Sequence, residues 1–135
     1  MQELQHAKEQ KFIDYLLKHC TNVKDVHDNF STGIDVYIDC IPYDLKITNS
    51  RKLTIFKRYK GNWYSPLLEH TDIDYLLVEE YDKCYLGFVI NKAALLRQLG
   101  NKCISTYTGD GNINQCVELG DPTLLCEKVY TWMKD

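Results

Sequence analysis

The stretch that decides the fold lies at residues 33–48 and reads GIDVYIDCIPYDLKIT. Apolar and polar residues alternate along both of its halves, which is the two-residue period of a half-buried β-strand. Asp39 and Cys40 interrupt the alternation and predict the tip of a two-residue hairpin. In that register Asp35 lies directly opposite Asp44 on the second strand. The stretch therefore predicts a hairpin with one apolar face and one acidic face.

The acidic face of this hairpin predicts a metal site. Two carboxylates held roughly 5 Å apart repel each other unless a positive charge lies between them. Hard oxygen ligands suit Mg²⁺ or Mn²⁺, with water completing the coordination. Lys46 follows Asp44 by two residues on the same face, where it can hold a nucleophile or a developing negative charge. The alternative is an exposed face on which Asp35, Asp44 and Lys46 form a weak surface salt bridge.

The rest of the chain alternates between helical and strand patterns. Residues 2–20 carry apolar side chains at spacings of three and four and predict an amphipathic helix. Residues 53–59 predict a short strand, 62–71 a loop, and 74–79 with 84–90 a hairpin. The sequence thus predicts helix and strands in the order of an α/β domain.

Two further helices are predicted after that hairpin. Asn91 is placed as the N-cap of a short helix that ends before Gly100. The segments 104–106 and 115–119 are predicted to pair as strands. Asp121 and Pro122 predict the start of a C-terminal helix that bears Leu124, Leu125, Val129 and Trp132. We expect one domain over residues 1–135, with a central mixed sheet of about five strands flanked by helices.

Composition excludes several classes of protein. The 135 residues are 44% hydrophobic and 26% charged, which argues against a disordered, fibrous or collagen-like chain. No long apolar run or signal peptide is visible, so we expect an intracellular protein without a membrane span. The net charge of −3 gives no global preference for nucleic acid.

Charge is nevertheless unevenly distributed along the chain. No acidic residue occurs between Asp44 and Glu69, a segment that holds six of the sixteen basic residues. Aromatic residues are interleaved with them, and this mixture suits phosphate contacts and base stacking. The alternative is a solvated strand or loop whose aromatic side chains fill the core. The candidate nucleic-acid contacts are Arg51, Lys52, Lys57, Arg58 and Lys60.

The hairpin resembles the signature of a known family. Gly33-Ile34-Asp35, followed after eight residues by Asp44-Leu45-Lys46, resembles the motif of the PD-(D/E)XK nuclease superfamily, which has the restriction-endonuclease-like fold. The resemblance covers roughly residues 5–100. The chain departs from the family pattern at Ile34, where proline is usual, and at Asp44, where glutamate is commoner.

This resemblance implies a Mg²⁺- or Mn²⁺-dependent nuclease that hydrolyses phosphodiester bonds, with DNA as the expected substrate. It implies that Asp35, Asp44 and the Leu45 carbonyl bind the metal ion and that Lys46 orients the attacking water. Many members add an acidic residue from the first helix, and Glu9 is the candidate because it lies on the apolar face of that helix. The alternative for Glu9 is a flanking residue that reaches solvent.

Other functions stay open at the level of sequence. The chain could keep the fold without catalysis and bind nucleic acid or inhibit a protein partner. It could also be an acidic interaction protein with no role on nucleic acid. Its small size leaves little room for a separate recognition domain, which favours a homodimer or a larger complex.

Overall fold

The computed structural model describes the backbone of residues 2–25, 33–48, 52–59, 62–64, 70–99, 105–109, 112–118 and 126–134, with side chains for 7–25, 33–48, 70–95 and 126–134. In chain order the elements are α1 (Gln2–His19), β1 (Val23–Asp25), β2 (Val36–Ile38), β3 (Ile41–Ile47), β4 (Lys52–Tyr59), β5 (Asn62–Tyr64), β6 (Asp74–Glu80), β7 (Cys84–Ile90), α2 (Lys92–Leu99), β8 (Ser105–Gly109), β9 (Asn112–Glu118) and β10 (Lys128–Met133).

The described strands form two sheets. The larger sheet has the order β1-β2-β3-β6-β7-β10, and it is mixed because β3 pairs with β6 in parallel while its other pairs are antiparallel. The smaller sheet has the order β5-β4-β9-β8 and is antiparallel. The α/β class is confirmed. The expected number of about five strands is wrong, since six strands lie in the larger sheet alone.

Two short strands, one in each sheet, were not predicted from the sequence. β1 and β5 have three residues each, too few for an alternating pattern to stand out in the sequence. β5 replaces the first part of the loop expected over 62–71 and pairs with β4. Residues 65–69 lie outside the described part of the chain.

The predicted helices α1 and α2 are both confirmed. The α1 helix buries Phe12, Ile13 and Leu16 completely against one face of the larger sheet, where Leu45 and Leu76 are also fully buried. Tyr75, Leu77 and Phe88 are buried on the opposite face, as the alternation of each strand requires. Neither described helix is long and apolar enough to cross a membrane.

The predicted C-terminal helix is wrong over its second half. Residues Lys128–Met133 form β10, which pairs with β7 along its whole length. Tyr130 and Trp132 are partly buried against the core, while Val129 and Met133 alternate with them on the exposed side. This two-residue period and the β-branched and aromatic residues outweigh the Asp121-Pro122 helix start. That start, with Leu124 and Leu125, lies outside the described residues.

The basic segment is described only as backbone. Lys52, Lys57 and Arg58 lie on β4, next to β9 in the smaller sheet. Their side chains, and Arg51 and Lys60 altogether, lie outside the described residues. Their contact with nucleic acid stays a prediction.

Candidate active site

Asp35 enters the site from the residue before β2. The predicted hairpin register is confirmed for three pairs, from Ile38–Ile41 to Val36–Tyr43. At Asp35 the register shifts, because its backbone N–H donates to the Tyr43 carbonyl over 2.9 Å although Tyr43 already pairs with Val36. Such a shift is typical of a β-bulge, which redirects a side chain. Asp35 is therefore not the direct cross-strand partner that the sequence predicted for Asp44.

The Asp35 carboxylate instead contacts the backbone of β3. Its Oδ2 atom accepts a hydrogen bond from the backbone N–H of Leu45 at 2.7 Å. Burial raises the pKa of this carboxyl group to about 7, with further increases from the charges of Asp44 and Glu9. The Leu45 N–H and the charge of Lys46 act in the opposite direction. The charges of the three other predicted site residues, Asp44, Glu9 and Lys46, therefore all act on the pKa of Asp35.

The backbone two residues before Asp35 requires a glycine, Gly33. Gly33 has a φ of +70°, a left-handed conformation that favours glycine. A Cβ atom at this position would overlap the His70 ring. Gly33 is therefore required both by backbone conformation and by packing, two residues before the carboxylate.

Asp44 and Lys46 lie on the face of β3 opposite to Tyr43 and Leu45. The Lys46 Nζ atom is 3.6 Å from Asp44 Oδ1, with 41% of the lysine side chain and 17% of the aspartate side chain exposed. Asp44 and Lys46 therefore share the polar face of β3, as the alternation predicted, and they form the ion pair that belongs to the alternative interpretation of this face. With 17% of its side chain exposed, Asp44 is more buried than the carboxylate of a typical surface salt bridge.

Lys92 belongs to this site, although the sequence did not predict it. It is the first residue of α2, only 1% exposed, and its Nζ atom donates to Asp44 Oδ2 over 2.9 Å. The same Nζ atom lies 4.8 Å from the centre of the Tyr75 ring. The available signal was composition, because Lys92 is the one charged residue in the segment 84–96.

Asn91 holds Lys92 in place at the junction of β7 and α2. Its Oδ1 atom accepts from the Ala94 backbone N–H at 2.9 Å, which is the N-cap geometry the sequence predicted. Its Nδ2 atom donates to Asp74 Oδ1 at 3.3 Å, and Asp74 begins the strand beside β3. The cap thus ties the helix start to the strand that neighbours Asp44.

Glu9 lies in the first half of α1 and is half-buried. It precedes the fully buried Phe12 and Ile13 by three and four residues, so it borders the core-facing side of the helix. Its charge contributes to the raised pKa of Asp35. Glu9 is therefore close enough to act on Asp35, and its role as a metal ligand stays a prediction.

The donor set fits a hard cation with few protein ligands. Within the described side chains, no group of three or more His, Cys, Asp and Glu residues is arranged to hold a metal ion. Asp35 and Asp44 nevertheless offer two carboxylates, and Mg²⁺ in proteins commonly uses one or two carboxylates together with water. The raised pKa of Asp35 arises from burial and neighbouring negative charge, and a bound cation would offset both. The Leu45 carbonyl stays a predicted ligand.

No family model, curated protein or solved structure matches the chain.

Proposed function

We propose that this protein is a metal-dependent nuclease with the restriction-endonuclease-like fold, which hydrolyses phosphodiester bonds in DNA. The observation that carries the proposal is that Asp35 accepts a hydrogen bond from the Leu45 N–H, between Asp44 and Lys46 in the chain, and that the charges of both residues act on its raised pKa. A helix followed by a three-stranded antiparallel segment supports the same assignment, since this order resembles that of the PD-(D/E)XK superfamily.

Each residue has a distinct part in the proposed reaction. Asp35 and Asp44 would hold Mg²⁺ or Mn²⁺, with the Leu45 carbonyl and Glu9 completing the site. The bound ion would supply Lewis acidity and lower the pKa of water. Lys46, which is partly exposed beside Asp44, orients the attacking water and stabilises the negative charge that develops on the phosphate.

Lys92 is assigned as a positioning residue. Its hydrogen bond to Asp44 Oδ2 fixes one carboxylate oxygen, while Oδ1 faces Lys46. Burial of the lysine restricts its own motion, since a side chain that is 1% exposed has few alternative rotamers. Asp44 is thereby held in one orientation before substrate arrives, which favours a fast reaction.

The direct test is cleavage of labelled single-stranded, duplex and branched DNA and RNA in Mg²⁺, in Mn²⁺ and in EDTA. We expect cleavage only with a divalent ion, and loss of cleavage in Asp35→Asn. Asp82→Asn is the matched control, because Asp82 is exposed in the turn between β6 and β7 and the substitution removes the same charge. Cleavage by Asp35→Asn at the rate of Asp82→Asn would refute the proposal.

A second candidate function is a nuclease fold without catalysis that binds nucleic acid or inhibits a protein partner. The observation in its favour is again Lys92, whose ammonium group already neutralises Asp44 and can take the place of a cation there. Calorimetry separates the two candidates. Binding of Mg²⁺ that disappears in Asp35→Asn supports the nuclease, and nucleic-acid binding without Mg²⁺ binding or cleavage supports the inert module.

A further inference from the structure

The larger sheet ends in β10 on one side and in β1 on the other. A terminal strand has a row of backbone N–H and C=O groups along its outer edge, to which another strand can bind. Among the described strands, none pairs with the outer edge of β10. The composition of the two terminal strands indicates which edge is suited to pairing.

The β1 edge is protected against pairing, whereas the β10 edge is not. β1 has three residues, and two of them, Lys24 and Asp25, are charged. Short strands and charged side chains are common means by which proteins prevent edge-to-edge association. β10 has six residues, and from Val129 to Met133 none of them is charged or is proline. The side chains of Val129 and Met133 are 43% and 64% exposed, so β10 presents an apolar edge to solvent.

Alternate residues of β10 direct their backbone groups away from β7. The Lys134 N–H donates to the Lys83 carbonyl at 2.9 Å, in the register of the β7–β10 pairs. In an antiparallel pair, the residues that bond to one neighbouring strand alternate with those that face the other side. Counting back from Lys134 in steps of two gives the residues that bond to β7. Val129 and Thr131 lie between them, so their N–H and C=O groups point outward.

A second copy of β10 fits this edge in antiparallel orientation. With Tyr130 on the two-fold axis, Val129 lies opposite Thr131 of the second copy. The outward N–H and C=O groups of these two residues then bond to each other on both sides of the axis. The edge is therefore self-complementary, as the interface of a two-fold dimer must be.

Charge selects this register over the neighbouring one. With Thr131 on the axis, Lys128 would lie opposite Lys134 of the second copy, and like charges directly opposite each other destabilise a strand pair. With Tyr130 on the axis, Lys128 lies opposite Trp132 of the second copy, and an indole ring attracts a cation. Lys128 already lies on this aromatic face, since its Nζ atom is 4.3 Å from the centre of the Tyr130 ring.

We propose that β10 is the dimer interface of this protein, through antiparallel pairing with β10 of a second copy around Tyr130. The contact joins two six-stranded sheets into one continuous sheet. A six-residue edge is small beside the roughly 1,600 Å² of a standard interface, so the dimer forms reversibly at high protein concentration. Such assembly is independent of the proposed nuclease activity and can be measured without DNA.

The test is sedimentation velocity of the full chain in EDTA and a thiol reductant, from about 10 μM to about 1 mM protein, a range that suits a contact of this size. We expect the mass to rise from 15.8 kDa towards twice that value. Thr131→Pro should keep the protein monomeric, because it removes an outward N–H that β7 does not use, and edge strands tolerate proline at such positions. Thr131→Val is the matched control, which keeps the N–H and should dimerise like the wild type.

Side-chain charge tests the register. Val129→Lys with Thr131→Lys places lysines opposite each other across the axis and should abolish the dimer. Val129→Lys with Thr131→Glu places opposite charges at the same positions and should restore it. Far-UV circular dichroism checks that each variant folds. If Thr131→Pro does not fold, the two charge variants decide the question.

Three results would overturn the proposal. The first is a wild type that stays at 15.8 kDa up to about 1 mM. The second is a dimer that persists in both Thr131→Pro and the double lysine variant, which would place the interface elsewhere. The third is a lysine–glutamate variant that remains as monomeric as the double lysine variant, which would refute the pairing of Val129 with Thr131.

Discussion

Lys92 and Asp44 form a hydrogen-bonded ion pair of 2.9 Å between the start of α2 and the third strand, with 1% of the lysine side chain and 17% of the aspartate side chain exposed. A buried charge depends strongly on its partner, because removing that partner leaves the charge poorly solvated. The second pair of Asp44, with Lys46, is much more exposed. The two lysines that contact one carboxylate should therefore differ in their effects on stability.

The first prediction concerns this difference. Asp44→Asn should lower the free energy of unfolding at pH 7 by about 2–4 kcal/mol, because the buried Lys92 loses its carboxylate. Lys46→Gln should lower it by less than about 0.5 kcal/mol, as for an exposed pair. Urea denaturation measures both values. Similar small decreases in the two variants would contradict the prediction that Lys92 depends on Asp44. The double variant Asp44→Asn with Lys92→Met should recover part of the stability lost in Asp44→Asn, because no buried ammonium group is left without a carboxylate.

The second prediction concerns the pH dependence of stability through Asp35. Its folded pKa of about 7 is raised from 3.8, so the folded state keeps a proton that the unfolded chain has already released between these values. Stability therefore falls as pH rises through this window, and the fall is complete above pH 7. In EDTA, Asp35→Asn should gain stability relative to the wild type between about pH 4 and 7, by on the order of 4 kcal/mol for a pKa shift of about three units. If the difference in unfolding free energy between Asp35→Asn and the wild type stays constant with pH, the pKa of Asp35 is not raised in the folded protein.

The third prediction concerns stabilisation by metal. A ligand that binds only the folded state stabilises it by about 2.7 kcal/mol at 100 times its Kd. Mg²⁺ should raise the Tm of the wild type and of Asp82→Asn by several degrees, because both keep the two carboxylates. Asp35→Asn should show no increase. Differential scanning calorimetry with and without Mg²⁺ measures these Tm values. A wild type whose Tm does not change on addition of Mg²⁺ would favour the inert module.

The fourth prediction separates Lys46 from the metal ligands. Lys46→Ala should lower kcat by at least about 100-fold, which is typical of removing a group that stabilises transition-state charge. Its affinity for Mg²⁺ should stay within a few-fold of the wild type, since an ammonium group binds no cation. Single-turnover cleavage and calorimetry provide the two values. Near-normal turnover in Lys46→Ala would assign the catalytic role elsewhere.

The fifth prediction tests the basic segment. Replacing Lys57, Arg58 and Lys60 together with glutamine should weaken binding of duplex DNA and reduce its salt slope by about 2.7, or 0.9 for each phosphate neutralised. Binding of Mg²⁺ should be unaffected. Anisotropy titrations at several salt concentrations test the slope. An unchanged slope would identify the segment as a solubilising surface.

The amino-acid sequence by itself determined the local structure around the site. The alternation on either side of Asp39 and Cys40 predicted the β2–β3 register, and Asn91 predicted the start of α2. These features follow from residues a few positions apart, through the two-residue period and the capping side chain. The same local signals misassigned the last strand, because β10 is selected by its pairing with β7.

Only the tertiary structure decided how the charges of the site are arranged. Lys92 and Asp44 are 48 residues apart, and no local pattern indicates that the start of α2 returns to β3. The bulge at Asp35 similarly replaces the expected opposition to Asp44 with a bond to the Leu45 N–H. A buried charge is stable only beside a partner, and burial is a property of the folded chain. The sequence thus names candidate acids and bases, whereas the fold sets their partners, burial and pKa.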